Sequence, residues 1–94
     1  MLSENPINLE KVGKKNLDRE ILRLAIIAEL DAVNLYEQLA ATTENEAIRD
    51  VLLDVAREEK THVGEFQTML LREDEEQVEE LKHGKVEVEK DLGL

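Results

Sequence analysis

The sequence predicts an all-α protein: an antiparallel two-helix hairpin plus a short C-terminal helix, completed to a four-helix bundle by dimerisation. Three observations predict it. Proline occurs once, at Pro6, and only four glycines punctuate the 94 residues, so two long stretches run with little to break a helix. Strand signals are missing: there is no sustained alternation of β-branched residues and no Asn-Gly or Asp-Gly turn. Apolar residues instead recur at three- and four-residue steps, the period of a helix face. A chain of this length is one small domain. Its expected parts are an irregular arm over 1–15, a helical hairpin over 16–72, a short helix over 74–84 and a mobile tail over 85–94.

The first helix is expected to start near Asn16 as N-cap, with Asp18 and Glu20 in a first turn whose dipole favours acids. It continues to about Ala41. One seam runs Leu22, Ala25, Glu29, Ala32, Tyr36, Leu39. A second apolar line, Leu17, Ile21, Leu24, Ala28, Leu35, lies beside it, with Ile27 and Leu30 further round. That face is too wide for a single covering helix. In so short a chain some of the cover must come from another subunit.

Thr42-Thr43-Glu44-Asn45 reads as the turn. Thr43 followed by Glu46 is a capping-box pattern, so the second helix is expected from about Glu44 to Leu71, with Gly64 as a mild interior weakness. Its seam is Ile48, Leu52, Val55, Glu59, His62, Phe66, Met69. Each helix is near 40 Å long by the rise of about 1.5 Å per residue. Asp74 with Gln77 reads as a further cap, opening a short helix that Gly84 would end. Its apolar content is Val78 and Leu81, and the charged remainder is expected to be loosely attached.

Three polar residues interrupt the apolar seams. Glu59 and His62 lie about one turn apart on one face, and Glu29 occupies the matching seam of the first helix. Counted from Thr43, Glu29 lies 14 residues before, Glu59 16 after and His62 19 after. In an antiparallel hairpin these fall at nearly the same height. A buried carboxylate costs several kcal/mol unless it is paired or bound to a cation. Two-metal carboxylate sites in helical bundles take a Glu from each of two helices and a Glu-x-x-His from each of the other two. This chain holds one of each, so a two-fold axis doubles the set to four Glu and two His. Such ligands suit iron or manganese, admit zinc, and suit copper(I) poorly.

The formal net charge of -11 argues against nucleic acid, which requires basic patches, and favours attraction of cations. The absence of cysteine excludes disulfides, thiolate metal sites and Cys nucleophiles. No apolar run approaches a membrane span, and no signal peptide is visible. The expected compartment is therefore the cytoplasm.

Glu29 with Tyr36 one heptad later, and Glu59-x-x-His62 within Ala56-Arg57-Glu58-Glu59-Lys60-Thr61-His62, resemble the encapsulated ferritins. Leu24-Ala25-Ile26-Ile27-Ala28-Glu29-Leu30-Asp31-Ala32 looks especially like their archaeal members, and the similarity runs from Leu22 to Leu71 and over the short third helix. The resemblance implies a ferritin-like bundle and a ferroxidase that oxidises Fe(II) to Fe(III) with oxygen. It implies a di-iron centre between two subunits, with Glu29, Glu59 and His62 of each chain as metal ligands and catalytic residues. It further implies a homodimer inside a larger ring, a decamer, that serves an encapsulin shell holding the mineral. Tyr36 would support a ligand. Some family members carry acidic positions around the first ligand and a nearby Trp; the corresponding residues are Ala28, Asp31 and Leu35. Asp31 alone keeps a carboxylate, and a secondary iron or calcium site would rest on it.

Other residues have ordinary readings. Glu58 and the acids from Glu73 to Glu80 suit a solvated face, Glu65 likewise, and His83 suits the C-terminal end of a short helix. Two alternatives stand beside the ferroxidase. One is another di-metal bundle enzyme, which would need an apolar substrate pocket. The other is a non-catalytic dimerising hairpin whose acids and histidines pair with each other.

Overall fold

The computed structural model describes Asn8, Glu10 and residues 13–94. Three helices account for nearly all of them: α1 (Lys14–Thr42), α2 (Glu46–Glu73) and α3 (Glu75–Leu92). The predicted all-α class holds, with no strand among the described residues.

α1 begins earlier than expected. Gly13 is its N-cap, with extended backbone (ψ 150) and no side-chain cap, and the Asn16 N–H donates to the Gly13 carbonyl at 2.9 Å. Asn16 therefore lies within the first turn. The physical reason is that Lys14 and Lys15 propagate a helix well, and an extended glycine can precede it at little cost. Residues 14 and 15 of the expected arm are thus helical, while 1–7, 9, 11 and 12 lie outside the described residues.

The turn also corrects the expected cap. Thr43 is the C-cap of α1, its N–H donating to the Leu39 carbonyl at 3.2 Å. It cannot serve as N-cap of α2 as well. Asn45 takes that role, its Oδ1 accepting from the Ile48 N–H at 3.1 Å. Arg49 reaches back from α2 and donates to the carbonyls of Ala40 (3.2 Å) and Thr43 (2.6 Å). These carbonyls have no intrahelical donor, so the guanidinium closes the end of α1 and joins it to the start of α2.

α1 and α2 pack along Val33 and Ala40 of one helix and Ala56 and Leu70 of the other, the buried apolar residues of the fold. With about 100° per residue, Ile21, Ala25, Ala32, Leu35 and Leu39 fall to one side of the α1 line. Ile48, Val51, Val55, His62 and Met69 fall to one side of the α2 line. In an antiparallel pair these sides form one broad face of the hairpin. It is apolar and open: Ile21, Leu39, Ile48, Val51 and Met69 are exposed, Val51 to 64%. An apolar groove of about 340 Å³ lies in it, lined by Ala47, Ile48, Val51 and Leu52. Ile27, Leu30 and Leu53 are exposed on the opposite flank. The anticipated shortage of covering helices is thus a feature of the fold.

At the far end of the hairpin, α1 grips the α2–α3 junction. Asp74 is buried at 5% exposure. Its Oδ1 accepts from the Gln77 N–H at 3.0 Å and caps α3, while its Oδ2 accepts from Arg23 Nη2 at 2.8 Å. Arg19 donates to the Glu73 carbonyl beside it at 2.8 Å. The Gln77 backbone bond, aided by the Arg23 hydrogen bond and the charges of Arg19 and Arg23, holds the Asp74 carboxyl below its ordinary range despite burial.

α3 is longer than the sequence reading expected. It passes through Gly84 and ends at Gly93, whose left-handed backbone (φ 66) lets the Leu94 N–H donate to the Glu89 carbonyl at 2.9 Å. An interior glycine weakens a helix by about 1 kcal/mol but does not forbid it. The stop falls where the backbone turns left-handed, which a glycine tolerates without strain. Residues 85–92, expected as a tail, are therefore helical.

Candidate metal centre

The packing lines place the three polar residues. Glu29 lies four residues before Val33 on α1, and Glu59 three residues after Ala56 on α2, so both point toward the helix–helix seam. They are largely shielded, with side chains 20% and 19% exposed. His62 lies one turn beyond Glu59, rotated toward the open apolar face, and is 43% exposed.

The three converge. His62 Nδ1 lies 3.4 Å from Glu29 Oε2 and 3.4 Å from Glu59 Oε2. One ligand atom from each residue lies within 4.8 Å of the other two. A distance of 3.4 Å is long for an N–H···O bond, and Glu29 Oε2 is a buried acceptor with no hydrogen-bond partner among the described residues. Leaving such an atom unmatched costs about 1–3 kcal/mol, more when it is charged. Two carboxylates brought together repel as well. A divalent cation answers both problems, and carboxylate with imidazole is a hard-to-borderline donor set suited to iron or manganese. The residues present fit a metal, and three protein atoms leave coordination positions for further ligands.

Asp31 and Tyr36 stand apart from this cluster. Both line a groove of about 390 Å³ on α1, with Ala28, Ala32 and Leu35. Tyr36 is half-buried, two turns beyond Glu29, and Asp31 is half-buried on the far side of α1 from the seam. One neighbouring contact was not anticipated. Lys60, next to Glu59, bridges the two helices to Glu37 at 3.1 Å, on the flank away from the open apolar face. Counted from Thr43, Glu37 lies 6 residues before and Lys60 17 after, so matching height does not predict the pair, which is closed by the reach of two long side chains. Glu80 and His83 on α3 form a second Glu-x-x-His pair at 3.4 Å, with both side chains more than 60% exposed. No third ligand converges there among the described residues.

The chain is similar to several known proteins. The Rubrerythrin family profile matches residues 20–93. The chain is 60% identical over 96 residues to a ferritin-like-encapsulin shell fusion protein of Pyrococcus furiosus, covering 100% of this chain but 28% of that relative. It therefore spans little more than a quarter of the fusion protein. It is 39% identical over 93 residues to the encapsulin nanocompartment cargo protein EncC of Myxococcus xanthus, covering 96% of this chain and 68% of that one. In three dimensions it superposes on the crystal structure of the encapsulated ferritin domain from Pyrococcus furiosus with a TM-score of 0.85 and 59% identity. That match covers 100% of this chain and 98% of the other.

Proposed function

This chain belongs to the Rubrerythrin family, among its encapsulated ferritins, and from that premise we propose that it is a ferroxidase oxidising Fe(II) to Fe(III) with oxygen. The reaction takes place at a di-iron centre shared by two subunits. The product is iron for storage inside an encapsulin shell, in a cytoplasmic nanocompartment. The observation that carries the reading is Glu29 Oε2, a buried carboxylate oxygen without a hydrogen-bond partner among the described residues, beside Glu59 and His62.

Iron is the substrate, and each Fe(II) surrenders one electron to oxygen. The residues of the chain bind and position it. Glu29 and Glu59 supply anionic oxygens that favour the ion more as its charge rises from two to three. His62, neutral when it binds, supplies a nitrogen from the side facing the partner. The apolar residues around His62 exclude water once a second hairpin covers them, which strengthens every charge interaction within. A two-fold axis through that face brings the second Glu29, Glu59 and His62 to complete the set. The resulting dimers form a decameric ring. Tyr36 supports a ligand, and Asp31 offers a weaker cation site on the outer side of α1.

Pairing of a protonated His62 with both carboxylates is the competing account. It would place His62 Nδ1 3.4 Å from an oxygen of each carboxylate, too long to satisfy a buried Glu29 Oε2, so the metal reading is preferred. An anaerobic Fe(II) titration, with subunit association followed in parallel and oxygen then admitted, decides between them. Saturation near one iron per chain, coupled to dimerisation and followed by oxidation that Glu59→Ala abolishes, supports the shared centre. Assembly without metal and oxidation at the background rate in every variant would leave the salt-bridged hairpin as the better account.

A further inference from the structure

We infer that α2 and α3 are two halves of one interrupted helix, held bent at Asp74 by Arg19 and Arg23 of α1, so that the junction is a latched hinge. α2 ends at Glu73 and α3 starts at Glu75. Asp74 alone lies between them, with φ -141 and ψ 88 in place of helical angles. The local sequence gives no reason for a stop. No glycine or proline lies between Gly64 and Gly84. The residues that flank the break, Leu71, Arg72 and Glu73 before it and Glu75, Glu76 and Gln77 after it, all propagate a helix well.

The hydrogen bonds show what imposes the break. In an unbroken helix the Gln77 N–H would donate to the Glu73 carbonyl, four residues back. Here side chains engage both partners of that bond. The Gln77 N–H donates to Asp74 Oδ1 at 3.0 Å, and the Glu73 carbonyl accepts from Arg19 Nε at 2.8 Å. The next bond of the ladder survives, from the Val78 N–H to the Asp74 carbonyl at 3.3 Å. Arg23 Nη2 holds the other Asp74 oxygen at 2.8 Å, which keeps the carboxylate in its capping position. One side-chain donor and one side-chain acceptor thus replace a single backbone bond, and both arginines belong to a different helix.

The rest of α3 does not secure the angle. From Glu79 onward every residue of the helix is exposed, so the hairpin grips it only at its start. Once Arg19 and Arg23 let go, the Glu73 carbonyl can take back the Gln77 N–H, and buried Asp74 loses its counter-charge. Straightening then pairs the orphan groups on both sides of the junction with each other and carries Asp74 to solvent. The straight form is one helix over Glu46–Leu92, about 70 Å long by the helical rise, against a longest extent of 46 Å in the bent form. α1 therefore decides where everything beyond Asp74 is carried. The inference does not rest on the ferroxidase reading, since no latch residue is a candidate ligand.

The test is a distance measurement in the full chain. The sequence has no cysteine, so Asp50→Cys and Glu87→Cys, both at exposed positions, place one spin label on α2 and one on α3. Labelled chains are diluted into unlabelled ones, so that pulsed electron resonance reads pairs within one chain. The unaltered junction is expected to give the bent distance alone. Arg19→Ala/Arg23→Ala is expected to add a population at about 56 Å, the straight-helix separation of the two positions, with helical circular dichroism undiminished. Adding Glu75→Pro to that pair is expected to abolish the long distance. Proline suits the first position of α3, but inside a continuous helix it clashes with the Leu71 carbonyl, and it pushes Asp74 toward extended angles. A double arginine variant that keeps only the bent distance would show that the bend is local and overturn the proposal. A broad distribution with lost helicity overturns it as well, because the junction then unfolds instead of straightening. So does a long distance that survives Glu75→Pro.

Discussion

Arg23 Nη2 lies 2.8 Å from Asp74 Oδ2, joining positions 51 residues apart. The same carboxylate caps α3 through the Gln77 N–H. One buried side chain thus fixes both the closure of the hairpin at its open end and the direction in which α3 leaves it. Asp74→Ala removes the cap and leaves the Arg23 guanidinium without its buried partner. The expected result is a melting midpoint lowered by several degrees. Asp74→Asn keeps a capping oxygen but not the charge, and should fall between. Thermal denaturation followed by circular dichroism checks the order.

The pH dependence follows from the same residue. The folded carboxyl titrates below its ordinary value of 3.8. Fewer protons are bound in the folded state, so stability rises with pH across that window. Asp74's contribution is fully present above 3.8 and is lost as pH falls through the depressed folded value. Denaturant titrations of the unaltered chain and Asp74→Asn should therefore differ most at neutral pH and converge below that value. A gap that persists into strong acid would mean the carboxylate charge is not what stabilises the junction.

Metal should stabilise the protein through Glu29. Ligand held at about 100 times its dissociation constant adds about 2.7 kcal/mol to the bound state. Glu29→Gln relieves carboxylate repulsion and should leave the metal-free protein at least as stable as the unaltered one, while abolishing the gain on adding Fe(II) anaerobically. Calorimetry with and without Fe(II) measures both effects. Chelation of the unaltered protein should reverse the gain and weaken the dimer.

Arg49 should matter more than an exposed arginine ordinarily does. It donates to two carbonyls at the end of α1, so Arg49→Ala should cost about 1–2 kcal/mol. Hydrogen exchange should quicken at the Ile48 and Arg49 amides and in the last turn of α1. Arg49→Lys, with one compact donor group in place of a planar fork, should recover only part of this.

The Lys60–Glu37 bridge offers the opposite case. Both groups are exposed, and such pairs contribute about 0–1 kcal/mol. Lys60→Ala should shift chemical-denaturation stability by less than that, and added salt should shrink the difference further.

The helical class, the hairpin and the meeting of Glu29, Glu59 and His62 were legible in the sequence. Each depends on a regular quantity: the 3.6-residue period, the rise per residue and a short turn from which heights can be counted. Those quantities hold over the whole of α1 and α2, so an error of two residues at an end does not move the site. The ends themselves were settled by tertiary structure. Gly13 rather than Asn16 opens α1, Asn45 rather than Thr43 caps α2, and α3 runs past Gly84 to Gly93. Each choice separates alternatives that differ by about 1 kcal/mol, close enough for a neighbouring cap or a single backbone conformation to decide. Thr43 was already committed to α1, and the left-handed turn fell at Gly93. The long-range partners of Arg23 and Arg49 were likewise invisible, because no local period records which carbonyl or carboxylate an arginine will reach once the hairpin has closed.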